Sequence, residues 1–179
     1  MVSNALQNVF FPAFAEIQSD KEALRGAIQK AVVVGSYLIM PTALFVAVAA
    51  EPLVALLLTE KWLACVLVFQ LVCVQNLGLM LGIVNLRAYM ALGHSGLYLK
   101  LQLIKVLSGL VIISGIAILL HNIYWVALAA CVHGLLCVFI DLAPAKRMHG
   151  LGSLSQIRSV MPTLFVALLA AGLALVPLA

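Results

Sequence analysis

Four side chains able to contact a polar ligand lie in or beside long apolar stretches of this sequence: Asn76, Arg87, Lys105 and His133. Such groups are costly in hydrocarbon unless they pair with one another or face water. An amide, two cations and an imidazole together can hold an anionic or sugar-rich ligand through charged and neutral hydrogen bonds. We therefore predict these four residues as candidate lining of a polar cavity, and we predict no catalytic residue.

Each of these residues also has a purely structural interpretation, and the sequence leaves both open. Amides commonly hydrogen-bond between membrane helices. Lys105 can extend its alkyl chain to the membrane interface, and His133 can be a neutral ring bonded to a neighbouring helix or a group that titrates near neutral pH. Asn76 and Arg87 are eleven residues apart, which is close to three helical turns, so one regular helix would place them on the same face.

The element that organises the chain is the stretch Ala31 to Ala50, in which no residue is charged. At 1.5 Å per residue it is about 30 Å long, which is the thickness of the hydrocarbon core of a bilayer. It shows no polar face at helical spacing, so we predict a membrane-spanning helix. Pro41, near its middle, predicts a kink that faces protein.

The same criteria predict an all-α, polytopic transmembrane bundle with five complete spans at about 31–50, 63–86, 97–120, 123–143 and 160–178. Residues 1–15 are too short and polar for a full span and are expected to form a partial transmembrane helix. No cleavable signal peptide is predicted. Residues 16–30 are expected to form a cytoplasmic interfacial segment, followed by the five-helix bundle of residues 31–179.

Several short patterns predict how these elements begin and meet. Ser19 with Glu22, and Ser153 with Gln156, have capping-box spacing. Gly78 and Gly82 have the spacing that allows another helix backbone to approach closely. The run from Leu53 to Leu58 is too short to span and is expected to lie at the interface, anchored by Trp62.

Composition excludes an ordinary soluble domain, because 65% of the residues are hydrophobic and 9% are charged. The four cysteines lie in apolar runs without a paired spacing, so neither a metal site nor a disulfide framework is predicted. The acidic residues are scattered singly, with Asp141 expected at the interface near Lys146 and Arg147. Since enzymes in membranes need clustered acid, base or metal-ligand groups, we predict that the chain is not an enzyme and needs no cofactor.

The loops alternate in charge. Every lysine and arginine except Lys61 falls in or beside a loop on one side of the predicted bundle. The positive-inside rule places this side in the cytoplasm, so the C-terminus is expected outside. The net charge of +4 is explained by this distribution, and no nucleic-acid partner is inferred.

Three stretches resemble bacterial polysaccharide and O-antigen flippases, the polysaccharide-transporter branch of the multidrug/oligosaccharidyl-lipid/polysaccharide exporter superfamily. Residues 8–20 resemble a helix end and acidic loop of that family, Glu51 to Trp62 an outer loop, and Ala91 to Ser95 a cytoplasmic turn. Members of the family are longer and have two pseudo-symmetric bundles. The chain resembles their C-terminal part, the second half of a two-bundle transporter.

The resemblance implies a multi-pass protein of the bacterial inner membrane that flips or exports a lipid-linked oligosaccharide, of the undecaprenyl-pyrophosphate type, for lipopolysaccharide, O-antigen or capsule synthesis. The partners that it implies are the bilayer, that lipid-linked substrate and a missing N-terminal half. Two alternatives stay open: a small-molecule or drug antiporter of the same superfamily, and a truncated product without function. The antiporter would want an acidic residue within the membrane.

Overall fold

The computed structural model describes residues 10–175, and side chains up to residue 172. These residues form helices and connecting turns, with no strand among them. The α-helices are α1 over residues 10–16, α2 Lys21–Val48, α3 Ala50–Leu58, α4 Val66–Gln75, α5 Leu79–Ala91, α6 Ser95–Leu120, α7 Ile123–Leu142, α8 Ala145–His149 and α9 Ser153–Leu175. Two 3₁₀ segments, Glu60–Cys65 and Asn76–Gly78, precede and follow α4.

Five helical stretches within this part of the chain are long and apolar enough to cross a bilayer: Lys21–Val48, Glu60–Ala91, Ser95–Leu120, Ile123–His149 and Ser153–Gly172. The predicted all-α, polytopic bundle is therefore confirmed, and the chain is a multi-pass membrane protein. Most of the predicted partial helix of residues 1–15, and the end of the predicted last span beyond residue 175, lie outside the described residues.

The first spanning helix begins ten residues before the uncharged stretch. Its N-cap is Asp20, whose Oδ1 accepts hydrogen bonds from the backbone N–H groups of Glu22 and Ala23, both at 3.0 Å. The predicted capping box at Ser19 is therefore wrong, because the aspartate one residue later satisfies the free N–H groups at this end. The polar residues 21–30 form the first turns of α2 itself.

The helix α2 continues through Pro41, although proline lacks the N–H that would bond the carbonyl of Tyr37. The next residue, Thr42, donates its hydroxyl to the Leu38 carbonyl at 2.8 Å. The short helix α3 then ends at Thr59, which has a positive φ of 77°. Its nine residues are too few to span a bilayer.

The second crossing is interrupted by the 3₁₀ segment Asn76–Gly78 between α4 and α5. A 3₁₀ helix turns by 120° per residue and an α-helix by 100°, so three such residues rotate the following face by about 60° more than a regular helix would. Side chains of α5 therefore point in directions that the spacing of a single α-helix does not predict.

Two groups of helices make up the bundle. In one, α2 packs along α9 and α5 around an apolar core that includes Ile28, Val32, Val84 and Leu142. In the other, α6 and α7 form an antiparallel hairpin whose α7 lies against α4 and α5.

Close packing of α7 depends on glycines. A Cβ atom built on Gly78 would lie 2.5 Å from Val138, and one on Gly82 would lie 2.9 Å from a carboxylate oxygen of Asp141. The predicted close approach at this glycine pair is thus present, and α7 is the helix that makes it.

Candidate functional site

An ion pair between a half-buried lysine and a buried aspartate joins the two helices of the α6–α7 hairpin. The Lys105 ammonium on α6 lies 2.9 Å from Oδ1 and 3.0 Å from Oδ2 of Asp141 on α7, and the Oδ2 contact has hydrogen-bond geometry. Asp141 is 4% exposed, and its ion partner is Lys105 rather than the neighbouring Lys146 or Arg147. Its position at the membrane interface stays a prediction. The packing of α7 on Gly82 explains this burial, since a larger residue there would fill the space of the carboxylate.

The ion pair borders a cavity of about 320 Å³ between α4, α5, α6 and α7. Three of the four predicted residues, Asn76, Lys105 and His133, line it, and the fourth does not. The remaining lining is Gln75, Gly78, Leu79, Gly82, Ile83, Leu86, Gly134, Cys137, Val138 and Asp141. The structure thus brings together residues from three predicted spans and adds a carboxylate that the prediction did not include.

His133 lies on the wall of this cavity at the crossing of α6 and α7. Its Nε2 is 2.9 Å from the Ser108 hydroxyl, and that hydroxyl donates its hydrogen to the Lys105 carbonyl at 3.2 Å. This contact of His133 with Ser108 joins α7 to α6 within the hairpin. The Cys137 sulfur is 3.7 Å from both ring nitrogens, so it stands over the face of the ring.

The two amides of the cavity are used differently. Asn76 donates to the carbonyl of Val72 in its own helix at 2.8 Å, which satisfies one donor and leaves its oxygen as an acceptor. Gln75 lies directly against Gly134, where any side chain on α7 would collide with it. Both amides therefore stand at the junction where α4 passes into the 3₁₀ segment.

Arg87 is half-buried and its Nη1 lies 3.6 Å from the Met90 sulfur. The regular-helix spacing that placed Arg87 on the face of Asn76 does not apply here, because the 3₁₀ segment that begins at Asn76 rotates α5 by about 60°. It is not among the residues that line the cavity.

A second polar cluster was missed from the sequence. Asn85, Gln156 and His149 are 0%, 1% and 7% exposed. The Asn85 amide donates to Gln156 Oε1 at 2.7 Å, accepts from Gln156 Nε2 at 3.2 Å and lies 2.9 Å from His149 Nε2. We call these three residues the amide–imidazole network. Asn85 therefore makes the interhelical hydrogen bonds that amides commonly form in membrane bundles.

Gln156 also corrects a prediction from spacing. Its side chain points into the bundle toward Asn85, and Ser153 donates its hydroxyl to the Leu142 carbonyl at 3.0 Å, so the second predicted capping box does not form. The signal that could have found the network is the occurrence of a further amide, Asn85, in the apolar stretch that also holds Asn76.

Tyr89 connects the network to the ion pair. Its hydroxyl donates to the main-chain carbonyl of Asp141 at 2.7 Å, and its ring stacks on His149 with centroids 5.9 Å apart. Tyr89 is fully buried. The backbone that carries the Asp141 carboxylate is therefore fixed by an α5 residue that also contacts α8.

The arrangement offers one cation, one carboxylate, one imidazole and two amides around a space open to a small polar group. In the described part of the chain, no three His, Cys, Asp or Glu side chains are placed to hold a metal ion. The chemistry available to these residues is recognition of an anionic or hydroxyl-rich group by charged and neutral hydrogen bonds.

Comparison with known proteins identifies a family match in the N-terminal part of the chain and relatives that cover about two fifths of it. Residues 1–67 match the sequence profile of a family described as a polysaccharide biosynthesis protein. An uncharacterized membrane protein in the cps region of Klebsiella pneumoniae is 40% identical over 73 residues, which are 41% of this chain and 15% of that protein. No solved structure matches the chain significantly.

The lipopolysaccharide biosynthesis protein WzxC of Escherichia coli K12 is 39% identical over 72 residues, which are 40% of this chain and 15% of WzxC. The matched residues 1–67 contain two of the three stretches that resemble polysaccharide flippases, and the third, Ala91 to Ser95, lies beyond them. The resemblance to that family is thereby confirmed for the first two stretches, and for the third it stays a prediction.

Proposed function

We propose that this relative of polysaccharide biosynthesis proteins acts in the export of a lipid-linked oligosaccharide across the bacterial inner membrane, for lipopolysaccharide, O-antigen or capsule synthesis. The observation that carries the proposal is the family match over residues 1–67. The two relatives support it, because one is a lipopolysaccharide biosynthesis protein and the other is encoded in a cps region. The proposed role is that of a transporter and not of an enzyme.

The cavity suits this role physically. A sugar headgroup with a diphosphate can cross an apolar layer only where polar and cationic groups replace its hydration, as in transporters that open alternately to each side. Lys105, His133 and Asn76 supply a cation, an imidazole and an amide inside an apolar bundle. We propose that these three contact the substrate, and we retain Arg87 as a fourth contact that would act outside the cavity. The substrate type is the undecaprenyl-pyrophosphate-linked oligosaccharide that the family resemblance implies.

The central experiment is removal of the reading frame that encodes this chain from its host. The expected result is loss of surface polysaccharide together with accumulation of lipid-linked oligosaccharide in the inner membrane, measured by gel analysis and lipid extraction. Wild-type plasmid copies should restore export, and copies with Lys105→Gln should restore it poorly at equal protein abundance. Lys100→Gln is the matched control, because Lys100 is exposed on the same helix. Normal polysaccharide in the deletion strain would refute the proposal.

The proposed orientation places the basic loops in the cytoplasm and the 3₁₀ segment Glu60–Cys65 outside. Lys61 is exposed in that segment and precedes the predicted second span, so Lys61→Cys introduces a label site. A membrane-impermeant thiol reagent added to intact spheroplasts should modify this introduced cysteine. A cysteine introduced by Ser155→Cys should react only after the membrane is broken, and reaction of both sites in intact spheroplasts would contradict the orientation.

A second candidate function is antiport of a small molecule or drug, which the buried carboxylate of Asp141 favours. This class requires an acidic residue within the membrane, and Asp141 is 4% exposed inside the bundle. The two functions differ in what accumulates when the gene is removed. The antiporter predicts increased sensitivity to a toxic cation with normal surface polysaccharide, and the exporter predicts the reverse.

A further inference from the structure

Resting on the proposed function, we propose that Lys105 is the anion-binding group of the cavity and that Asp141 occupies it as an internal substitute for the ligand. The anion of a diphosphate then binds by displacing the Asp141 carboxylate from the Lys105 ammonium.

The first argument is the geometry of the pair. The Lys105 ammonium contacts both carboxylate oxygens, at 2.9 and 3.0 Å, so Asp141 holds it as an external two-oxygen anion would. The pair faces a cavity of about 320 Å³ rather than a closed core. Because an ammonium has three donors and binds phosphate oxygens as a point charge, the same position accepts a phosphoryl group.

The second argument concerns the rest of the cavity wall. His133 Nε2 is 2.9 Å from the Ser108 hydroxyl, and the Gln75 and Asn76 amides stand beside the same space. An amide NH₂ group can donate to a hydroxyl oxygen or to a phosphate oxygen. Asp141 is the one acidic residue on the wall, so a bound anion meets repulsion only from the group that it replaces.

The third argument is energetic. Removing either member of a buried ion pair leaves the other charge uncompensated at high cost. If the ligand anion replaces the Asp141 carboxylate, the Lys105 ammonium has an anionic partner both before and after binding. Ligand binding therefore never leaves an unpaired cation in the bundle.

The displaced carboxylate must also be neutralised, since Asp141 is 4% exposed. The proposal therefore couples binding of the anion to uptake of one proton by Asp141. Binding should be tighter at pH 6 than at pH 8 by more than the titration of the ligand explains. The charged or titratable groups that face Asp141 are Lys105 from α6, Tyr89 from α5 with His149 of α8 behind it, and His133 and Cys137 on α7.

The experiment uses Cys137 as a reporter, because its thiol lines the same cavity. The purified chain in lipid nanodiscs is treated with N-ethylmaleimide at rising concentrations of inorganic pyrophosphate, and the modification of Cys137 is read by peptide mass spectrometry. Farnesyl diphosphate and farnesol are compared in parallel. Pyrophosphate and farnesyl diphosphate should protect Cys137, and farnesol should not. Stronger protection by farnesyl diphosphate identifies a lipid-linked diphosphate as the ligand, and equal protection identifies the free anion.

The variants make the test decisive. Lys105→Gln should abolish protection, and Lys100→Gln should leave it unchanged. Asp141→Asn, which removes the internal competitor, should lower the half-protecting concentration by about tenfold and remove the additional pH dependence. If Asp141→Asn does not fold, the neutral pair Lys105→Gln with Asp141→Asn should fold and fail to bind.

Protection of the Lys105→Gln variant at wild-type concentrations, protection by farnesol, or weaker binding by folded Asp141→Asn would overturn the inference. Failure of this test would leave the export phenotype of the deletion strain untouched. Conversely, normal polysaccharide in that strain with Lys105-dependent protection would remove the proposed function and retain the anion site.

Discussion

Polar side chains have different surroundings in the α2–α5–α9 group and in the α6–α7 hairpin. In the first, the Asn85 and Gln156 amides are fully enclosed and bond one another across helices. In the second, Lys105 and Asp141 carry opposite charges beside a cavity, and both helices expose much of their apolar surface. The neutral network stabilises a fixed contact between helices, whereas the charged pair stands where a ligand can reach it. This contrast separates the polar residues that hold the bundle from those available for function.

The largest expected effect comes from breaking the charged pair. Asp141→Asn in the absence of an anion should lower the free energy of unfolding by about 3 kcal/mol, because the Lys105 side chain, which is 15% exposed, is left without a counter-charge. The double variant Lys105→Gln with Asp141→Asn should regain most of this loss. Unfolding in mixed detergent and SDS measures it, and equal losses in the single and double variants would show that the charges are not coupled.

Removing the centre of the amide–imidazole network should have the next largest effect. Asn85→Ala leaves the Gln156 amide and His149 Nε2 without their partner, and should cost about 2 kcal/mol of stability. Gln102→Ala is the control, because this amide makes a single long contact of 3.4 Å with Tyr98. The Cys137 modification rate should change little in either variant. A large change in Asn85→Ala would show that the two regions are not separate.

A Cβ atom added where α5 contacts α7 should disturb the packing of α7 more than it disturbs the apolar core around α2. Gly82→Ala places a Cβ atom 2.9 Å from the Asp141 carboxylate and should cost about 1–2 kcal/mol through displacement of α7. The modification of Cys137 should become faster. Gly115→Ala in α6 meets no atom within 4 Å and should lose no stability. Equal behaviour of the two glycine variants would contradict the close packing of α7.

The smallest expected effect is at the link between the two regions. Tyr89→Phe removes the 2.7 Å hydrogen bond to the Asp141 carbonyl and should cost about 1 kcal/mol. Since the ring still stacks on His149, insertion and abundance should be normal. The ratio of Cys137 modification with and without pyrophosphate reports whether Asp141 is still held. An unchanged ratio would show that the ion pair does not depend on this hydrogen bond.

The spans could be predicted because the length of an apolar run is a local property of the sequence. Ala31 to Ala50 has no charge, so its length alone indicates a crossing, and the structure confirms five apolar helices of spanning length. The convergence of Lys105 and His133 could also be anticipated, because each is a costly group in an apolar stretch. Both lie on one cavity.

The rest of the site depends on how helices cross, which local patterns do not contain. Asp141 is near Lys146 in sequence, yet the α6–α7 crossing pairs it with a residue 36 positions away. The position of Arg87 depended on three 3₁₀ residues that no composition signal marks. The spacing of Gln156 from Ser153 predicts a helix cap, but its side chain is buried in the bundle. Its hydrogen bond to Asn85, which depends on how the helices pack, excludes the capping role.

The placement of Lys105 and Asp141 on separate helices has an electrical consequence. Moving an elementary charge across the membrane involves about 2.3 kcal/mol per 100 mV. A slide of α6 past α7 by one turn, 5.4 Å of a core about 30 Å thick, would shift one charge through roughly a fifth of the field, or about 0.4 kcal/mol per 100 mV. Membrane voltage would thus change the relative free energies of the two positions of α6 against α7. The uncharged amides of Asn85 and Gln156 would not respond to the voltage in this way.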